Sequence, residues 1–414
     1  MPQVDHMRKK GNSAATAIAY FGAFAPDRPD YKTQASSTAG NLFQINFLAA
    51  MRRSKLPTPE IYSYLPMPSF PRHKKLFYRG GKDRLSDGTS IRFLPFLNFG
   101  PLKILTLGFA GFFQTLGWAW RNRKSERRIV IAYNLNAPPA WPLWLACRLS
   151  RCEFVPFIGD IYVPGEVIED SWLRRMEFDA QKRIIPKVDG LLVANKAIVE
   201  DFAQGRESLL IEGGVPESFL KKFDTVAERD SKTFRVVFAG QLSRLNGVEL
   251  LLEAIAKMPN QDICFTIAGT GPLHESVKKA AQKDSRIHFP GLLPHRELVE
   301  IYRRADLVLS LRRTDNQTHR YVFPSKVVEC LATGVPLLTT CTGHAEEEFG
   351  EFAVLLRDET PEALVTAIQE IASWTQEQRN ELGKTAQDYV RENRTWESNI
   401  IRLEEYLEGN RRAA

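Results

Sequence analysis

The sequence predicts an α/β fold built on parallel sheets and divided into two domains, and three observations carry that expectation. Apolar runs of strand length alternate with helical periods through most of the chain, the pattern of strands joined by crossover helices. Glycines recur just past apolar runs, at 240, 247, 269 and 271, where open α/β sheets receive ligands at their carboxyl edge. At 414 residues the chain exceeds what one core usually organises, and 43% hydrophobic with 25% charged residues is ordinary for globular proteins.

Taken in order, Arg8, Lys9 and Lys10 precede TAIAYFGAF, which reads as a first strand rather than a signal core because it is short and runs straight into APDRPDY. KTQASSTAGNLF then enters a helix, NLFQINFLAAMRRS, and Gly40 at its start lets phosphate or acceptor approach the backbone. Asn41 beside it either faces that ligand or caps the turn. RRIVIAYN, EFVPFIGD and DGLLVAN read as successive parallel strands, each ending at a polar residue. FRVVFAGQLSRLNGVELLLEAIAKM is strand, Gly turn and helix, and DICFTIAGTGPLHESVKKAA repeats the order. IHFPGLLPHRELVEIYRRADLVLSL supplies a strand, a loop, a helix and another strand.

The stretch YVFPSKVVECLATGVP, Tyr321 to Pro336, reads as a loop feeding a nucleotide-binding helix. Pro324 suits a first helical position, and Ser325 and Lys326 lie where unpaired N–H groups and the positive end of the dipole gather anions. Glu329 follows Lys326 by three residues, so one ligand can touch both. A carboxylate beside a phosphate site favours vicinal hydroxyls, as on a ribose. Ala332 and Gly334 end the helix at a left-handed cap, and VPLLTT follows as a buried strand. An amphipathic helix with a surface Lys–Glu pair would read the same in this window alone.

With those turns and that helix in order, the chain resembles GT-B glycosyltransferases of the large retaining family 4 (group 1 type), most strongly from Phe234 to Arg357. The resemblance implies two Rossmann-like domains facing a cleft: residues 1–215 on the acceptor side, 216–385 binding a nucleotide sugar, and a helix over 386–414 packing back on the first domain. IEGGVPESFL is similar to the family's linker. The family's Glu-x7-Glu motif places its ribose-binding Glu on Glu329, while its sugar-contacting Glu falls on Tyr321, leaving Asp315 or Asn316 as substitutes. The family's G-R-L-x-x-x-K-G turn reads GQLSRLNG, with Gln241 and Asn246 in place of the cations, so Arg244 and Lys326 are expected to supply the charge. Gly40 and Asn41 match the family's glycine-rich loop. The donor side implied is therefore Gly40, Asn41, Gly240, Arg244, Asn246, Gly247, Gly269, Gly271, Leu292, Tyr321, Ser325, Lys326 and Glu329.

Many relatives carry a His after the strand represented by EFVPFIGD, yet no His occurs between His73 and His274. Asp160 stands at that strand end, able to orient the acceptor hydroxyl, take its proton or stabilise charge on the sugar ring, or else simply to cap the next segment. Glu166 is the second catalytic candidate. Glu346 and Glu347 begin a helix that favours acids whatever its function. No Asp-x-Asp triplet and no zinc-like His or Cys spacing occurs, so neither metal nor cofactor is expected, the nucleotide-diphosphate sugar being a co-substrate.

Net charge is +7, and basic clusters lie at 52–55, 72–75 and 121–128. They flank FLPFLNFGPLKILTLGFAGFFQTLGWAW, which reads either as a membrane-interface stretch or as a core helix. Aromatic RNP strands and helix-turn-helix patterns are absent, so nucleic acid is not an expected partner. Five cysteines, odd in number and without CxxC spacing, point to reduced thiols in a cytosol. The expected activity is transfer of a sugar from a nucleotide sugar to a glycan or lipid-linked acceptor, in the cytoplasm or peripherally at the inner face of the plasma membrane. A sugar-nucleotide epimerase or a non-catalytic donor binder is the alternative.

Overall fold

The computed structural model describes residues 16–26, 28, 31, 38–135, 140–165, 172–224, 233–315, 317–322 and 325–409. The chain begins its first sheet with β1 (Thr16–Gly22), which is buried from Ile18 onward and runs through α1 (Thr38–Arg53) to β2 (Glu60–Ser63). Then follow β3 (Phe77–Tyr78), β4 (Gly81–Arg84), β5 (Ser90–Phe93) and β6 (Phe96–Leu97). These strands of two to four residues are too short to carry a periodic signal. The long helix α2 (Gly100–Arg121) leads to β7 (Arg127–Tyr133), α3 (Ala140–Ser150), β8 (Glu153–Ile158) and α4 (Trp172–Ile184). After β9 (Leu191–Val193), the single turn α5 (Lys196–Ile198) and β10 (Ser208–Leu210) complete the unit.

The sheet order is β10-β9-β8-β7-β1-β2-β5-β4, in which the β4–β5 pair is antiparallel and the other pairs are parallel, while β3 and β6 pair antiparallel in a small sheet of their own. Connections run outward in opposite directions from β1 and β7, so a crevice opens where these two meet. Right-handed crossovers then place α1 on one face and α3 and α4 on the other. Packing of α2 against α3 puts α2 on that second face.

After α6 (Glu217–Leu220), the second sheet alternates β11 (Phe234–Gln241), α7 (Val248–Lys257), β12 (Ile263–Thr270), α8 (His274–Lys283), β13 (Ile287–Gly291) and α9 (His295–Arg303). It continues through β14 (Leu307–Ser310), α10 (Ser325–Leu331), β15 (Leu337–Thr340), α11 (Ala345–Phe349) and β16 (Val354–Leu356) to α12 (Pro361–Ser373). All its pairs are parallel, in the order β13-β12-β11-β14-β15-β16, so its own crevice lies between β11 and β14. Each of the two halves is thus a doubly wound, Rossmann-like unit.

The chain crosses between the sheets twice, side by side. Val215 N–H donates to the Arg394 carbonyl at 3.0 Å, and Trp396 N–H donates to that of Val215 at 3.2 Å. α13 (Gln376–Asn393) opens with a capping box at Thr375 and Gln378, and α14 (Trp396–Gly409) then returns to the first sheet. There Trp396 is buried against Phe43 and Phe47 of α1, and the Tyr406 hydroxyl accepts from Leu191 N–H at 2.9 Å. At the crossing, Glu212, buried to 1% exposure, meets His344 and, at 2.6 Å, Arg394. Arg394 also meets Glu348, which accepts from the Tyr389 hydroxyl. Carboxylates from the linker and from α11 and the guanidinium from the segment before α14 thereby share one buried cluster.

Candidate active site

The crevice of the second sheet is formed by backbone that only glycine fits. Gly269 has φ +141°, and a Cβ there would overlap the Gly240 carbonyl; Gly247 has φ +70°, and a Cβ would overlap that of Leu311. Strand packing alone therefore requires these glycines. Gly271 is similarly crowded by the Leu242 backbone. At Gly240 the space is instead open: an added Cβ would meet only Lys326 Cδ, at 4.0 Å. The end of β11 and the start of α10 thus converge on one point, with Ser325 exposed and Lys326 half-buried beside it.

Glu329 lies a turn further along α10, and its charge reaches His295 at the start of α9. Burial lowers the His295 pKa, and Lys222 and Lys326 push it the same way against the raising effect of Glu329. Lys326, Glu329 and His295 thus form one polar group, and a cavity of about 290 Å³ lined by Lys222, His295, Arg296, Val299, Glu300 and Arg303 adjoins it. A larger cavity of about 440 Å³ lies along α9 and is lined by none of the donor-side residues expected from the sequence.

Asp160 follows β8 and forms a single antiparallel bridge with Val322, and Ile161 N–H donates to the Tyr321 carbonyl at 3.4 Å. The acidic end of the first sheet is thereby joined to the segment that feeds α10. Burial pushes the Asp160 pKa up to about 6, opposed by the positive charge of Arg312 just beyond β14. The Asp160 charge in turn raises Tyr162 to about 12 and, second to burial, raises Tyr133 as well. Asn134, at φ +53°, accepts from Gly159 N–H at 2.7 Å and fixes the loop before Asp160. Arg312 Nε is buried without a hydrogen-bond partner among the described residues. An ionisable acid and a cation thus face each other from opposite sheets.

Other expected residues fall elsewhere or have other partners. Gly40 is in the first turn of α1 and its carbonyl accepts from Gln44, while Asn41 spends its side chain on Ala25, accepting at 2.8 Å and donating at 3.0 Å. Arg244 is 78% exposed and pairs with Glu249 at 3.6 Å. Asn246 donates to the Gln241 carbonyl at 2.9 Å, closing the turn, and Leu292 is 74% exposed. The Tyr321 hydroxyl donates to Asp201 at 3.0 Å, and its ring meets Phe202, so this side chain ties the second unit to the first. Asp315, the proposed substitute for the sugar-contacting acid, pairs with Arg313 at 3.6 Å. Glu346 meets Arg357, and Glu347 meets Lys196 across the cleft at 3.3 Å. Glu166, Asn316 and Pro324 lie outside the described residues.

Arg312 and His295 were not anticipated. Arg312 carried one usable signal, a cation directly after the apolar run LVLSL at a carboxyl strand end. His295 carried none, because its significance rests on the later helix it meets.

The family profile described as Glycosyl transferases group 1 matches residues 233–373, the span of the second sheet and its helices. The D-inositol 3-phosphate glycosyltransferase of Corynebacterium glutamicum is 24% identical over 306 residues, covering 67% of this chain and 71% of that protein. Sucrose-phosphate synthase from Thermosynechococcus elongatus superposes with a TM-score of 0.68 at 16% identity, over 96% of this chain and 100% of that one. Anabaena HepE in complex with UDP gives 0.63 at 16% identity, over 95% and 100%. With two facing Rossmann-like units superposing on these structures and that profile on the second of them, the chain has the GT-B fold and its second unit, residues 233–373, belongs to the glycosyl transferases group 1 family.

Proposed function

We propose that the chain transfers a sugar from a nucleoside-diphosphate sugar to a hydroxyl of a glycan or lipid-linked acceptor, with retention and without metal. The pathway is synthesis of cell-surface polysaccharide or glycolipid at the inner face of the plasma membrane. One observation carries the donor side: Lys326, at the start of α10, meets the open backbone of Gly240 at the β11–β14 crevice, with Glu329 one turn away. A diphosphate fits the helix start and its cation, and a ribose diol fits the carboxylate. The similar HepE was crystallised with UDP and with UDP-glucose, which supports a nucleotide of this kind.

In the proposed reaction the bond from the anomeric carbon to the diphosphate breaks, and the electron pair leaves on the phosphate oxygen. The helix dipole and Lys326 stabilise that charge. The acceptor oxygen forms the new bond on the same face while positive charge grows on the ring, near the carboxylate of Asp160. Asp160 takes the acceptor proton, and Arg312 helps to keep it ionised before that step. Turnover of a panel of nucleoside-diphosphate sugars, with and without EDTA, tests the reading. Release of nucleoside diphosphate from one donor, unaffected by chelation, is the expected result. No turnover and no nucleotide affinity across the panel would sink it, while recovery by magnesium after chelation would remove the metal-free part.

A further inference from the structure

α2 contains no Asp or Glu, and its inward residues, including Leu107, Gly111, Thr115 and Trp118, are buried. Its opposite stripe is equally apolar. Leu102, Leu105, Phe109, Phe113 and Trp120 share one helical side and are 45–67% exposed. On the neighbouring helix, Trp141, Leu145 and Leu149 repeat at four-residue intervals with 41–64% exposed, and on α4 Trp172 and Met176 are 69% and 54% exposed. A helix apolar on both sides normally has both covered, and a contiguous exposed patch of this kind marks a contact surface.

The charges around this band select its occupant. Arg72, Lys74 and Lys75 are exposed in the segment that reaches the start of α2, where the Phe70 and Phe99 rings meet at 6.1 Å. Arg121, Arg123 and Lys124 are exposed at the other end, with Arg123 stacked 4.6 Å over Trp120. Over its 22 residues α2 spans about 33 Å, so cations stand at both ends of an acid-free apolar stripe. A second copy of the chain would meet this surface through a twofold axis that sets the basic rim against itself. A bilayer with anionic headgroups instead matches the cations while its acyl region receives the apolar side chains. None of the described helices is long and apolar enough to cross a membrane, so the contact lies along the surface.

We propose that the outer face of α2, α3 and α4 docks on an anionic membrane surface. α3 and α4 follow β7 and β8, so their first turns, with Trp141 and Trp172, stand at the carboxyl edge of the sheet that also carries Asp160. Docking holds that edge against the lipid, and a lipid-linked acceptor reaches the cleft without leaving the surface; this last step rests on the transferase reading, while the docking does not. The full chain is sedimented with vesicles of phosphatidylcholine, with and without phosphatidylglycerol. Binding to the anionic vesicles alone is expected, falling with salt, and about tenfold weaker in Phe109→Asp/Phe113→Asp and in Arg123→Gln/Lys124→Gln. Both variants should keep wild-type circular dichroism and nucleoside-diphosphate affinity. Wild-type protein left in the supernatant, or variants that sediment equally well, overturns the proposal. So does a wild-type dimer in light scattering that Phe109→Asp/Phe113→Asp abolishes in the absence of vesicle binding. Nucleotide affinity measured on the same samples shows whether the transferase reading stands or falls separately.

Discussion

At the scale of single residues, Glu329 and Asp160 divide the work of binding and reaction, and each leads to a different measurement. Glu329→Ala should cost about 1.5–3 kcal/mol in nucleotide affinity, the loss of a charge-assisted bond to a ribose. Calorimetry showing unchanged affinity would remove Glu329 from the donor site. Asp160→Asn should lower turnover far more than affinity, because a proton acceptor acts in the transition state. Its pKa, raised by burial to about 6, adds a pH signature: activity of the wild type should rise as pH passes through 6. Stability runs the other way. A folded pKa above the unfolded value gives a contribution that is full below about pH 4 and lost as pH rises through 6. Asp160→Asn should therefore raise the melting temperature at pH 7.5 relative to wild type and leave it nearly unchanged at pH 4. An equal shift at both values would show that packing, not ionisation, governs this position. Lys326 and Glu329 were legible in sequence because helix spacing alone sets them together. The Asp160–Arg312 relation was not, since it requires two sheets to face each other.

Elements were more legible than side-chain roles. The parallel strands β7, β8, β11, β12, β14 and β15 all lie within apolar runs of strand length, and α10 ends before the left-handed Gly334 as its sequence implies. For several glycines the structure adds a reason that the sequence did not show. Gly247 and Gly269 looked like ligand approaches, yet neighbouring backbone already excludes a side chain at both. Gly269→Ala should therefore destabilise the fold by roughly 2–3 kcal/mol, from backbone strain and from displacement of β11 against β12. Urea unfolding measures it, and a loss below experimental error would mean that the strands yield easily. Segment 60–97 was illegible for a physical reason: its strands are two to four residues long, too short for a periodicity to form.

At the scale of the whole molecule, the two sheets are held by a junction that is charged where most cores are apolar. Glu212 on the linker, Arg394 before α14, and His344 and Glu348 around α11 lie within contact of one another, and Tyr389 joins them from α13. Such a cluster is weak evidence for stability by itself, because desolvation offsets much of the attraction. Removing Glu212 leaves Arg394 with Glu348 as its carboxylate and takes from the His344 ring the carboxylate that it meets. Glu212→Gln keeps the side-chain volume and takes away the charge that faces both His344 and Arg394. It should cost about 1–3 kcal/mol in unfolding free energy, the loss of charge-assisted contacts in a buried cluster. Because Glu212 pairs with His344 and Arg394 and not with Lys326 or Glu329, nucleoside-diphosphate affinity of the folded variant should remain within about twofold of wild type, as additivity holds for sites without shared partners. Turnover should fall, because the cleft depends on how the linker and α14 set one sheet against the other. Chemical denaturation and calorimetry on the same variant decide the matter: unchanged stability would show that the junction is held by the apolar contacts of Trp396 instead, and lost nucleotide affinity would place Glu212 in the donor site.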